Sequence, residues 1–256
     1  MSGLLVELPL EILLVAAAIS AFAGFVKGAV GFALPMIMIS GLGSILPAEI
    51  ALAALILPTL VSNLFQSLRG GWRLAWAVVR RFWLFLVMML VFLASAAQLV
   101  ALVPQNLLFL VIGVPIVLFA LTQLMGWRLH LRPETRVRDE LLFGGVAGFI
   151  GGMSGVWGPP LVAYLVAIDE EKRETIRIQG VVFGLGAVML AAAHLRSGVL
   201  DAATLPLSAA AVVPVLAGLW IGTRLHDRMP QQTFRRAMLV VLILAGLNLV
   251  RRGLMG

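Results

Sequence analysis

The chain has 256 residues, 61% of them apolar and 12% charged, with a mean hydropathy of +1.06. A soluble domain carries about 25% charged residues, so too little polar sequence remains here to coat a globule, and the composition reads as an integral membrane protein. The lack of cysteine excludes disulfides, thiolate metal sites and cysteine nucleophiles, and the net charge of +7 lies in short gaps between apolar runs, a mark of membrane topology rather than nucleic-acid binding.

Glu7 and Glu11 precede the first apolar run, where a secretion signal would carry Lys or Arg, although Ser20-Ala21-Phe22-Ala23-Gly24 resembles a cleavage site. Stretches without Asp, Glu, Lys or Arg then run over 12–26, 28–48, 50–68, 82–127, 141–168, 178–195, 202–223 and 237–250. The 82–127 stretch is too long for one crossing, and Pro104-Gln105-Asn106 supplies a turn within it. Single spans are expected at 50–68, 82–102, 106–127, 178–195, 202–223 and 237–250. Residues 10–46 and 141–168 are glycine-interrupted and each reads as a pair of short or broken helices, which lipid tolerates only where protein or water covers the break. Three arginine clusters (Arg69, Arg73, Arg80 and Arg81; Arg128, Arg132, Arg136 and Arg138; Arg224, Arg228, Arg235 and Arg236) place their loops in the cytoplasm.

The chain also matches itself. Ala23-Gly24-Phe25-Val26-Lys27-Gly28-Ala29-Val30-Gly31 aligns with Ala147 through Gly155, Pro35 with Pro159, Leu68-Arg69 with Leu195-Arg196, and Pro104-Gln105 with Pro230-Gln231. One nearly constant shift of about 125 residues therefore spans the chain, the signature of a tandem duplication. Equivalent loops differ in basic charge: the loop at Arg69 is arginine-rich and that at Arg196 is not, while the reverse holds at Pro104 and Pro230. Opposite charge bias implies opposite sides, hence inverted topology. The expected fold is an all-α membrane protein of two inverted repeats, each with a broken glycine-rich segment plus three transmembrane helices. The first repeat covers 1–127, a basic cytoplasmic linker 128–140 and the second repeat 141–256. Paired broken helices in inverted repeats are a secondary-transporter architecture.

Two readings of the glycines stand: close helix packing, or helix breaks whose unpaired amides form an anion site. On the second reading Gly28, Gly31 and Phe32, with Gly152, Ser154, Gly155, Trp157 and Gly158, hold the oxygens of an anion. Lys27, inside the first motif, either snorkels to the interface or attracts that anion. Asn63 and Gln66, three apart on one helix face, and Gln179 in the second half either join helices or shape selectivity. Glu49, Arg177 and His194 are weaker candidates for coupling or an anion vestibule. Asp169 to Arg177 reads as a solvated mixed-charge loop. No cofactor or metal is called for, and a homo-oligomer is compatible with this composition.

Gly24 through Phe32 with Pro35, and Gly148 through Gly155 followed by Gly158-Pro159-Pro160-Leu161, resemble the two signature motifs of the sulfite exporter TauE/SafE family, also called the toluene-sulfonate uptake permease family. The resemblance implies a bacterial inner-membrane carrier, mostly an exporter, for sulfur-containing anions such as sulfite or sulfoacetate, with the lipid bilayer and a small anion as its partners. Gly152-Met153-Ser154-Gly155 also looks like the G-x-S-G nucleophile motif of rhomboid intramembrane proteases, with His194 as the second member of a dyad. An anion channel is the other alternative.

Overall fold

The computed structural model describes residues 8–97, 105–126, 131–154 and 158–255, and every regular element within them is helical. The turn expected at Pro104, along with Arg128, Gly155 and Trp157, lies outside the described residues. In chain order the α-helices are α1 Leu10–Val30, α2 Leu34–Leu42, α3 Ala48–Leu68, α4 Trp72–Arg81, α5 Trp83–Ala97 and α6 Gln105–Leu124, then α7 Arg136–Ser154, α8 Gly158–Ala167, α9 Lys172–Ser197, α10 Leu205–Arg228 and α11 Gln231–Met255. Five of them, α1, α3, α9, α10 and α11, are long and apolar enough to cross a bilayer, and the bent pair α4–α5 makes a sixth candidate.

Proline and glycine punctuate these helices where their backbone chemistry demands it. Pro9 and Pro47 stand immediately before α1 and α3, where a missing N–H costs nothing. At the end of α1, Gly31 takes the left-handed conformation (φ +93°) and its N–H returns to the Lys27 carbonyl at 2.7 Å. Ala33 is also left-handed, at φ +75°, and α2 starts one residue later with Pro35 in its first turn. The α1–α2 path is thus interrupted by three residues. Pro58 lies inside α3 and leaves the Ala54 carbonyl without its helical donor. Ser208 of α10 covers the gap: its hydroxyl donates to Ala54 O at 3.4 Å and accepts the Leu57 N–H at 3.2 Å.

The chain forms two compact units, and neither coincides with a half of the sequence. The first unit combines residues 1–72 with 176–229, and the second combines 73–175 with 230–256. In the first unit α1 lies along α10 at glycine spacing. A Cβ at Gly24 would stand 2.1 Å from the Val215 carbonyl oxygen, and one at Gly28 2.3 Å from that of Leu219. Reciprocally, a Cβ at Gly218 or Gly222 would meet the carbonyl oxygens of Ala21 or Phe25 at 1.9 and 2.1 Å. Such backbone-to-backbone contact is how small residues let helices associate where lipid removes the hydrophobic drive. Leu34, Met38 and Leu42 of α2 bury themselves against Ala51, Ala54 and Leu55 of α3.

The second unit repeats the device. In it α5 packs on α7 with Gly144 and Gly148 facing the Phe85 and Met89 carbonyls, where a Cβ would lie at 2.6 and 2.2 Å. Gly113 of α6 and Gly246 of α11 form a third close crossing. Tyr164 of α8 is wrapped by Phe85 (ring centroids 5.8 Å apart), Phe143 (5.3 Å) and, edge-on, Phe82 (6.4 Å).

Three stretches expected to be loops are partly helical. Arg73, Arg80 and Arg81 belong to α4. Residues 136–140 of the expected linker form the first turn of α7, where the i,i+4 pair Arg136–Glu140 (2.6 Å) and the acidic Asp139 suit a helix N-terminus. The mixed-charge stretch after Asp169 becomes α9 from Lys172 onward. Its acidic residues are engaged as well as solvated: Glu170 accepts Arg81 at 2.6 and 3.0 Å, and Asp169 accepts Arg235 at 2.8 Å.

Candidate functional site

The first unit gathers four polar side chains at the end of α1. Lys27 sits one turn before the Gly31 break and is 1% exposed. Its Nζ donates to Asn63 Oδ1 at 2.6 Å. One turn further along α3, Gln66 Nε2 donates to the Lys27 carbonyl oxygen at 3.1 Å. The spacing of three that puts Asn63 and Gln66 on one face thus brings both onto the same residue of α1.

Gln179 of α9 closes the group. With its amide oriented as the neighbouring carbonyls require, its nitrogen donates to Val30 O and Gly31 O, both at 3.2 Å. These are carbonyls that the helix break leaves without intrahelical donors. Gly31 answers two demands at once: its left-handed φ, and the space the Gln179 amide occupies, since a Cβ there would stand 1.6 Å from the end of that amide. Phe183, one turn after Gln179, presents its ring 5.9 Å from Lys27 Nζ. Phe32, within the break, is 2% exposed.

The electrostatics of this group are lopsided. An ammonium carries three N–H donors. Asn63 takes one, and among the described residues no carboxylate pairs with Lys27. Gln66 Oε1 is buried and has no hydrogen-bond partner among the described residues. A buried ammonium with spare donors and a buried amide oxygen without a donor are each costly, and an anion is the kind of group that answers the first.

The remaining candidates are dispersed. Gly28 is occupied by its contact with α10. Glu49 is exposed in the first turn of α3, about 21 Å along that helix from Asn63. His194 is about 22 Å along α9 from Gln179 and half-buried. Arg177 lies two residues before Gln179 and is half-buried. Gly152 and Ser154 end α7 and Gly158 opens α8, all in the second unit, while Gly155 and Trp157 lie outside the described residues. Sequence reasoning passed over Phe183 and Ser208. Phe183 could have been found from its i,i+4 relation to Gln179, and Ser208 only from the gap that Pro58 opens in another helix.

Comparison with known proteins gives one match. The family model described as sulfite exporter TauE/SafE matches residues 16–249. No curated protein and no solved structure matches.

Proposed function

Because the chain belongs to the sulfite exporter TauE/SafE family, a family of membrane transporters, we propose that it exports a small sulfur oxyanion, sulfite or an organosulfonate such as sulfoacetate, across the bacterial inner membrane. The observation that carries this reading is the buried Lys27 side chain, held by Asn63 beside the α1–α2 break with no carboxylate paired to it among the described residues. The anion lies against Lys27 Nζ. Asn63, Gln66 and Gln179 fix the ammonium and the exposed carbonyls of the break, and so set the shape available to the substrate.

Transport proceeds by alternating access between two inverted repeats. Several features support this. Under the sequence shift, α1 corresponds to α7, α2 to α8, α3 to α9, α5 to α10 and α6 to α11. The two glycine-lined helix pairs, α1 with α10 and α7 with α5, are then the same pair with the halves exchanged. Such interleaving is expected when two duplicated halves fold into each other rather than side by side. Nothing in the fold or the family match favours the serine-protease or channel alternatives.

The test is thermal stabilisation of the detergent-purified protein by sulfite, sulfate, sulfoacetate, taurine and matched carboxylates. Binding to the folded state at a hundredfold excess over Kd raises stability by about 2.7 kcal/mol. The expected result is a selective shift with one sulfur oxyanion that is lost in Lys27→Met. Equal shifts from all anions, or a shift unchanged in Lys27→Met, would overturn the assignment. Saturable counterflow in proteoliposomes separates a carrier from a channel, whose flux rises linearly with concentration.

A further inference from the structure

Helix α4 is short and carries Arg73, Arg80 and Arg81. It turns by 74° into α5, and the corresponding connection of the second half, Gly198 to Thr204, holds no helix. At 100° per residue, Arg73, Ala77, Arg80 and Arg81 occupy one arc of its surface and Leu74, Ala75, Val78, Val79, Trp72 and Trp76 the rest. Val78 faces protein, whereas Trp72, Leu74 and Trp76 are exposed. A short helix with exposed tryptophans flanking an arginine stripe, sharply bent from the helix that follows, has the make-up of one lying in the bilayer interface.

At the bend there is a groove of about 390 Å³ lined by Arg80, Arg81, Trp83, Leu84, Arg136 and Val137, with Glu140 as its acid. Its arginines are unequal. Arg81 is held by Glu170 and Arg136 by Glu140. Arg80 is exposed and has no acid partner among the described residues. Beside these guanidiniums, Trp83 and Val137 present bare apolar surface, 55% and 58% exposed. A soluble anion has no use for that apolar wall. A lipid uses both, setting its phosphate on the arginines and its glycerol and first acyl carbons on the indole.

We propose that this groove binds the headgroup of an anionic phospholipid and that α4 is the surface that holds it at the arginine-rich side of the membrane. The test uses full-length protein delipidated in detergent and titrated with phosphatidylglycerol, phosphatidylcholine or inorganic phosphate, with bound adducts counted by native mass spectrometry. Phosphatidylglycerol is expected to half-saturate one site at a concentration roughly fivefold or more below phosphatidylcholine. Arg80→Gln, which breaks no ion pair, should erase that preference while leaving the melting temperature of the lipid-free protein unchanged. Arg138→Gln, which removes the same charge outside the groove, should keep it. Equal binding of the two lipids, a preference that survives Arg80→Gln, or displacement of phosphatidylglycerol by millimolar inorganic phosphate would each overturn the proposal.

Discussion

Replacing Gly31 by alanine perturbs the α1–α2 break in two separable ways. The left-handed φ of +93° costs an alanine about 1–2 kcal/mol. The new Cβ would also stand 1.6 Å from the end of the Gln179 amide, so the amide must leave and its two bonds to Val30 O and Gly31 O go with it. Those bonds are worth about 0.5–1.5 kcal/mol each. Gly31→Ala should therefore cost about 2–5 kcal/mol. Gly71→Ala isolates the backbone part, because Gly71 has a similar φ of +97° with nothing within 4 Å of its Cβ; it should cost about 1–2 kcal/mol. Gln179→Ala removes the same two bonds from the other side, at about 1–3 kcal/mol. In the double variant those bonds are lost only once, so its cost should fall short of the sum of the singles by about 1–3 kcal/mol. Equilibrium unfolding in mixed micelles measures all four proteins. If Gly31→Ala costs no more than Gly71→Ala, or the double variant is simply additive, then Gln179 does not hold the break and the local account is wrong.

Other outcomes follow from single contacts. Ser208→Ala should destabilise by about 1–2 kcal/mol, because it strips the donor from the Ala54 carbonyl that Pro58 leaves open; in a Pro58→Ala background, where the helix supplies its own donor, a melting experiment should show a smaller loss. Breaking the Arg81–Glu170 pair with Arg81→Gln should cost under about 1 kcal/mol and less at high salt, since the arginine side chain is 43% exposed. A full loss independent of salt would mean that the pair is shielded. The Asp201 carboxyl is held below its ordinary value of 3.8, first by the Thr204 backbone N–H, then by the Thr204 hydroxyl and the Ala203 N–H. A carboxylate favoured by folding adds stability above its unfolded pKa, and that contribution is lost as pH falls through the lower folded value. Acid melts below about pH 4 should accordingly be shallower in Asp201→Asn than in the parent; identical acid limbs would show that these bonds do not stabilise the turn.

Membrane class, family and the polar residues that meet at the α1–α2 break were legible in the sequence because each rests on local chemistry. Long stretches without charge can only be stable in lipid. Glycines at spacings of three and four announce a close approach whatever the partner, and Lys27, Asn63, Gln66 and Gln179 are conspicuous because polar groups are expensive in apolar helices. What the residues could not announce was their partners. Whether Gly24 and Gly28 serve a ligand or a neighbouring helix depends on which backbone comes to lie against them, and it is α10, from the other half of the chain. The extra turns of α7 and α9 and the whole of α4 were hidden by their charge, which marks a membrane boundary without saying whether the backbone continues as helix. The meeting of Lys27 with Asn63, Gln66 and Gln179 likewise required tertiary structure: α3 and the sequence-distant α9 converge on the point where α1 stops, because the unpaired carbonyls of that break must find donors, and in lipid only protein or enclosed water can supply them.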